Sequence, residues 1–134
     1  MLVPVFALRH ARDFGIGDTI AVRDAIDFCA AHGLAVLQIL PIHETVGDHS
    51  PYNPISSRAL APALLALTPE SVPGLNVDEM KVAAPGSWLA QLRADGVKQN
   101  SVQPLKLQIL LMAHRAFRAT HPAGSPLAAR KSVV

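Results

Sequence analysis

A short apolar run between a glycine and a proline constrains this 134-residue chain more than any other feature. Leu34–Leu40 is almost continuously apolar, with Gly33 before it and Pro41 after it. Such a run is typical of a strand buried on both faces of a parallel sheet. Proteins with parallel sheets place binding residues in the loops at the carboxyl ends of the strands. The polar loop that follows Pro41 is therefore the first candidate for a functional site.

The residues before this run complete a strand–helix–strand unit. Val3–Leu8 is apolar and rich in β-branched residues, which predicts a first strand. Thr19–His32 has helical periodicity, with Asp18 or Thr19 as its N-terminal cap and Gly33 directly after its end. The positions predicted to form its apolar face are Val22, Ala25, Ile26, Phe28 and Cys29. Two strands joined in this way form a βαβ unit with parallel strands.

The second half of the chain predicts helices and irregular packed segments. Arg58–Leu67 is apolar but interrupted by Pro62, which is typical of packed irregular chain or a short strand. Ser71–Pro85 is rich in turn-forming residues. Helices are predicted to begin at Thr68 and to cover Ser87–Ala94 and Val102–Thr120. Because parallel sheets are normally covered on both faces and only two strands are clear, the pattern predicts the beginning of a larger α/β domain.

Composition excludes several classes of protein. Half of the residues are apolar and 16% are charged, which indicates a globular chain. The single Cys29 cannot form an intrachain disulfide and suits a reducing cytoplasm. We expect no membrane span and no signal peptide, because no apolar run is long enough and the first residues lack a basic region. The net charge of +2 and the scattered basic residues argue against a nucleic-acid partner.

Several residue groups admit a chemical interpretation beside a plainer one. Gly15 and Gly17 precede a helix and are compatible with a phosphate site, but a simple turn and cap is favoured because the third fingerprint glycine is missing. Cys29 is better interpreted as a core residue than as a nucleophile. Four loop residues are compatible with a metal site or an acid–base pair, although separate solvated side chains are favoured: His43, Glu44, Asp48 and His49.

Tyr52 is the only tyrosine, and it lies in a Pro-Tyr-Asn-Pro context. An aromatic ring held between prolines is suited to stacking on a sugar, with its hydroxyl free for hydrogen bonding. Packing within the loop is an equally good interpretation of the residue pattern alone.

The order and spacing of three stretches resemble the 4-alpha-glucanotransferase family, also called amylomaltases or disproportionating enzymes. The stretches are Asp13–Asp18 (DFGIGD), Leu37–Ile42 (LQILPI) and Gly47–Pro62 (GDHSPYNPISSRALAP). Ala90–Lys98 and the helix after it are similar to an excursion found in some bacterial members. The resemblance covers residues 3 to 120, which correspond to the first part of a family member. It implies the start of a (β/α)8 TIM barrel, with the first βαβ unit followed by a helical excursion.

The resemblance also implies an activity and a site. Members transfer a segment of an α-1,4-glucan to another glucan or to glucose with retention, through a covalent glycosyl-enzyme and without a metal or organic cofactor. The Ser-Pro-Tyr loop would line the subsite beside the scissile bond. Tyr52 would stack on the donor glucose, Ser50 would hydrogen-bond nearby, and Asp48 and Asn53 would be neighbours in this substrate-binding site. His49 is a departure, since many members have Gly-Asp-Ser-Pro-Tyr without it.

In the family, the nucleophilic aspartate, the acid/base glutamate and the aspartate that stabilises the transition state come from later barrel strands, which the resemblance does not cover. We therefore expect no catalytic residue here, the N-terminal part of a glucanotransferase barrel over residues 1–122, an unstructured tail over 123–134, and no activity of the chain alone. Exposed sheet edges predict self-association. The alternative is a stand-alone α/β binding or scaffold domain that is completed by dimerisation. A small metal-dependent hydrolase is a third possibility.

Overall fold

A computed structural model describes residues 1–45 and 47–126. Two short strands, β1 (Leu2–Val3) and β2 (Gln38–Ile39), form a parallel sheet. The helices of the described residues are α1 (Thr19–Ala31), α2 (Val77–Ala83), α3 (Gly86–Ala94) and α4 (Gln99–Thr120). The α/β class and the parallel βαβ unit are confirmed. The described residues contain no further strand of this sheet. The predicted unstructured tail covers residues 123–134, of which residues 127–134 lie outside the described residues.

Both strands are shorter than the sequence predicts. Pro4 lacks an N–H group, and after it Val5–Ala7 form one turn of 3-10 helix in which Leu8 N–H donates to Val5 O at 3.0 Å. The prediction of a strand over Val3–Leu8 is therefore wrong beyond Val3. In the second run only Gln38–Ile39 pair, and Leu34 and Val36 are 42% and 67% exposed. The predicted burial on both faces is wrong for the whole run, because none of residues 34–40 is buried and Leu37, Ile39 and Leu40 are only half-buried.

Helix α1 begins and ends where its sequence signals predict. Asp18 Oδ1 accepts hydrogen bonds from the N–H groups of Ile20 at 3.0 Å and Ala21 at 3.3 Å. At the other end Gly33 has a φ of +68°, and Leu34 N–H donates to Cys29 O at 2.9 Å. The buried residues are Ala21, Ala25 and Cys29, whereas Ile26 and Phe28 of the predicted apolar face are about half exposed.

The hydrophobic core lies between the turn before α1, the segment after the loop, and α4. Its most buried members include Ile16, Ala63, Val102 and Ile109. The apolar segment Arg58–Leu67 is packed irregular chain with a 3-10 turn at Pro62–Leu64, as predicted. This turn lies against α4. The core therefore fixes the position of α4 relative to the segment Arg58–Leu67, which follows the loop after β2.

The helix predictions after residue 68 are partly confirmed. The two predicted helices over Ser87–Ala94 and Val102–Thr120 are present as α3 and α4. The predicted helix start at Thr68 is wrong: Thr68 Oγ1 accepts from Ser71 N–H at 3.2 Å and closes a turn instead. Helix α2 was not predicted. Its cap is Asn76, whose Oδ1 accepts from Asp78 N–H at 2.9 Å.

Candidate functional site

The loop after β2 folds back on itself through backbone hydrogen bonds. Glu44 N–H donates to Ala59 O at 2.9 Å, and Ile55 N–H donates to Glu44 O at 2.9 Å. Ala61 N–H donates to Ile42 O, also at 2.9 Å. Because these bonds hold the two arms of the loop together, residues 47–53 form its tip. We call residues 47–53 the loop tip.

Short polar side chains shape the loop tip. Asp48 Oδ1 accepts from Ser50 N–H at 3.0 Å, and Ser50 Oγ accepts from Tyr52 N–H at 3.4 Å. Ser50 O accepts from Asn53 N–H at 3.1 Å. Asp and Ser side chains commonly fix turns in this way. The four residues predicted to bind substrate are therefore brought into one turn, in which Asp48 and Ser50 hold the backbone.

Tyr52 projects from this turn beside a cavity at the carboxyl end of β2. Its side chain is 73% exposed. The cavity has a volume of about 530 Å³. Its lining residues are Ile39, Leu40, Pro41, Ile42, His43, Pro51, Tyr52 and Pro54. An exposed ring flanked by prolines above an apolar floor offers a stacking surface with a hydroxyl at its end.

The metal interpretation of the loop finds no geometric support. Among residues 1–45 and 47–126, no group of three or more His, Cys, Asp or Glu side chains is placed to hold a metal ion. The His43, Glu44, Asp48 and His49 set is thus not assembled as a metal site. Cys29 is buried, as predicted.

Asp13 is a buried carboxylate that sequence reasoning treated only as part of a motif. It is 0% exposed, and it accepts hydrogen bonds from Arg9 Nε at 2.6 Å and from the N–H groups of His10 at 2.9 Å and Gly15 at 2.8 Å. Burial works to raise the pKa of Asp13, but these bonds and the Arg9 charge lower it below the ordinary 3.8. Arg93 of α3 is a further partner, since its Nε lies 3.8 Å from Asp13 Oδ1 and donates to Asp13 O at 2.5 Å. Asp13 therefore stabilises its own turn and joins that turn to α3, and it is not placed as a catalytic acid.

The two glycines of the same turn are required by close backbone contacts. Gly15 has a φ of +91°, and a Cβ there would lie 2.5 Å from Leu92 O. Gly15 N–H is bonded to Asp13, and Gly17 N–H donates to Phe6 O at 3.0 Å. Because both N–H groups are engaged, neither is free for a phosphate. The turn-and-cap interpretation is confirmed.

Lys106 is a buried charge that the sequence analysis missed. Its Nζ donates to Ala63 O and Leu65 O, each at 2.8 Å, and lies 5.3 Å from the centre of the Phe14 ring. Burial lowers the pKa of Lys106 to about 8, although the charges of two aspartates oppose that change. Its one sequence signal is its spacing from Val102 and Ile109 on the buried face of α4.

Comparisons with known proteins agree with the three motifs. A family model described as 4-alpha-glucanotransferase matches residues 3–131. A 4-alpha-glucanotransferase of Chlamydia caviae is 43% identical over 65 residues, which are 48% of this chain and 12% of that protein. One of Chlamydia trachomatis is 44% identical over 66 residues, or 49% of this chain and 12% of that protein.

A more distant relative is a 4-alpha-glucanotransferase of Oryza sativa subsp. japonica. It is 31% identical over 88 residues, which are 60% of this chain and 9% of that protein. The chain thus spans a small part of the length of the curated relatives that it matches. Separately, none of the helices in the described residues is long and apolar enough to cross a membrane.

Proposed function

This chain belongs to the 4-alpha-glucanotransferase family, and from that membership we propose that it forms the N-terminal portion of an enzyme that transfers α-1,4-glucan segments with retention. The parallel βαβ unit is the start of a (β/α)8 barrel in this proposal. The exposure of Ile26 and Phe28 on α1, and of Val36 before β2, supports it, since a further layer of the barrel would cover such residues.

The glucan-binding contribution of this chain is the loop tip. The observation that carries this proposal is the exposed Tyr52 ring beside the cavity at the end of β2. The ring stacks on the donor glucose, and Ser50 offers its hydroxyl hydrogen to the sugar while its oxygen holds the turn. Asp48 and Asn53 are neighbouring contacts. The substrate class is an α-1,4-glucan or maltooligosaccharide.

The catalytic carboxylates belong to other parts of the enzyme in this proposal. Asp13 and Asp18 are the fully buried carboxylates of the described residues, and both are engaged in the turn and cap of α1. The chain alone is therefore expected to transfer no glucan. We propose no cofactor, no nucleic-acid partner and no membrane partner, and a cytoplasmic location that suits the unpaired Cys29.

Replacing Tyr52 with alanine is expected to weaken maltoheptaose binding by about tenfold, because the stacking surface is lost. The dissociation constant is measured by titrating maltoheptaose into ¹⁵N-labelled chain and following the loop-tip amide signals. Tyr52→Phe keeps the ring and should bind within about threefold of the parent chain. Val82→Ala, at an equally exposed apolar residue of α2, is the matched control and should leave binding unchanged. Equal affinity of the Tyr52→Ala variant would refute the stacking role.

The alternative function is a scaffold domain completed by dimerisation. The exposed apolar residues Ile26, Phe28 and Val36 support it as well, since a second copy of the chain would cover them. We expect the chain to associate with rising concentration through these residues, as measured by light scattering after size exclusion. Phe28→Lys, on the exposed side of α1, should reduce this association, whereas Val82→Lys on α2 should not. A defined dimer that binds no maltoheptaose would favour the scaffold over the glucanotransferase segment.

A further inference from the structure

His49 joins the loop tip to the first turn of α4. Its Nε2 donates a hydrogen bond to the Oδ1 of Asn100, across 51 positions of sequence. The bonds described above within the loop tip join residues that are only two or three positions apart. They therefore shape the turn, while the His49 bond fixes the turn relative to a helix.

The backbone of His49 is held in an uncommon conformation. Its φ of +54° lies in the left-handed region, which residues with a Cβ seldom occupy. Such a conformation persists where surrounding contacts determine it, and such residues concentrate at ligand-binding sites. The bond to Asn100 is a contact of this kind, and the residue that follows His49 begins the Ser-Pro-Tyr sequence.

The position of the His49 ring leaves one of its two nitrogens without a hydrogen bond in the part of the chain that the structure describes. Because a side-chain amide oxygen only accepts, Nε2 carries the hydrogen and Nδ1 is the acceptor nitrogen of the neutral ring. Nδ1 is buried and has no hydrogen-bond partner among the described residues. An unpartnered buried acceptor lowers stability. The placement of the ring is thus better explained by orientation of the loop tip than by stabilisation of the fold.

Helix α4 is a firm support for such a contact. Val102, Leu105 and Ile109 anchor it in the core with 0 to 3% exposure. Asn100 lies less than one turn before Val102, the first of these anchors, at the exposed start of the helix. A group that bonds to Asn100 therefore takes its position from the core of the molecule and not from the loop.

We propose that His49 and Asn100 form a positioning pair that holds Ser50 and Tyr52 in the conformation that binds glucan. The proposal rests on the proposed function, since it concerns the same loop tip. It assigns a role to the histidine that distinguishes this chain from the shorter Gly-Asp-Ser-Pro-Tyr pattern. His49 does not contact the reacting atoms and acts through the backbone of the residues that follow it.

A double-mutant cycle with a rescue variant tests the pair. His49→Ala and Asn100→Ala should each weaken maltoheptaose binding three- to tenfold, and the double variant should bind no more weakly than either single variant. His49→Gln should restore binding, because its amide N–H can reach Asn100 as a donor. The melting temperature should not fall much in any of the four, since Asn100 is exposed and the His49 variants remove the unpartnered Nδ1. His32→Ala, at the end of α1, is the matched histidine control.

Each outcome of the cycle decides the proposal. Losses that add up in the double variant, or a Gln variant as weak as His49→Ala, would overturn it. If the parent chain binds no maltoheptaose, the proposed function of the loop tip fails, and the pair is then judged on the amide signals of Ser50 and Tyr52 without ligand. Shifts of these signals that are alike in the two alanine variants support the pair, and unchanged signals refute it.

Discussion

Replacing Gly17 with alanine is expected to prevent this chain from folding cooperatively. A Cβ at this position would lie 2.0 Å from Val5 O and 2.3 Å from Leu8 O. Both contacts are with backbone atoms, which cannot turn aside as a side chain can. The turn after β1 would have to move away from the start of α1, and the hydrogen bond from Gly17 N–H to Phe6 O would be lost. The free energy of unfolding should fall by more than about 4 kcal/mol.

Urea denaturation followed by far-UV circular dichroism measures the effect. Gly96→Ala is the matched control, because a Cβ at Gly96 would have no atom within 4 Å and its φ is not positive. We expect the control to change the free energy of unfolding by less than about 1 kcal/mol. A Gly17→Ala variant with the urea midpoint of the parent chain would show that the turn around Gly17 is not packed as described.

The same turn shows which parts of the fold the sequence can predict. Helix α1 was predictable at both ends because its signals are local: Asp18 caps the first turn and Gly33 closes the last one. The two glycines before it were recognised as turn residues, but not the backbone contacts that require them. Those contacts join Gly17 to Val5 and Gly15 to Leu92, and no local pattern encodes a contact between segments so far apart.

The errors have physical causes of the same kind. The first strand was predicted from β-branched residues, whereas Pro4 turned the chain into a 3-10 helix after Val3. Burial of Ile26 and Phe28 was predicted from helical periodicity, but burial depends on a covering layer that the described residues do not supply. Helix α2 was not predicted because its cap, Asn76, lies in a segment of turn-forming residues.

The sequence predicts which residues belong to the candidate site, but not how they are arranged. Family membership followed from three motifs, and the family model confirms it. The roles of Tyr52 and Ser50 in glucan binding stay predictions, although both residues lie in one turn at the carboxyl end of β2. The contact between His49 and Asn100 had no sequence signal, because the pairing depends on how the loop and α4 pack together.

Replacing Lys106 with alanine is expected to destabilise the chain by an amount that grows with pH. At every pH the variant loses the packing of the lysine stem and the donor that satisfies Ala63 O and Leu65 O in the core. Truncation of a buried side chain and loss of a partner for buried carbonyl groups together cost about 4–6 kcal/mol. At pH 7, however, the parent chain also bears the unfavourable free energy of a buried positive charge, which the variant lacks. The free energy of unfolding of the variant is therefore expected to be lower by only about 2 kcal/mol at pH 7.

The pKa of Lys106 sets the pH range of the change. Burial lowers that pKa from the ordinary 10.5 to about 8, so between these two pH values the unfolded chain holds a proton that the folded chain has released. Stability rises with pH wherever the unfolded state binds more protons. The parent chain should therefore gain about 3 kcal/mol over the variant between pH 7 and pH 10.5, because the neutral amine still donates both hydrogen bonds.

Urea denaturation of the parent and variant chains at pH 7, 8.5 and 10.5 measures this difference. Subtraction of the two curves removes the titration of groups that both chains share. Lys81→Ala is the matched control, since the Lys81 side chain is 69% exposed and pairs with an exposed Asp78; its effect should stay within about 0.5 kcal/mol at each pH. A constant difference for Lys106→Ala across the range would mean that the amine is hydrated in the folded chain. Water would then have to reach the space between α4 and the Pro62–Leu64 turn, and the core described above would be open at its centre.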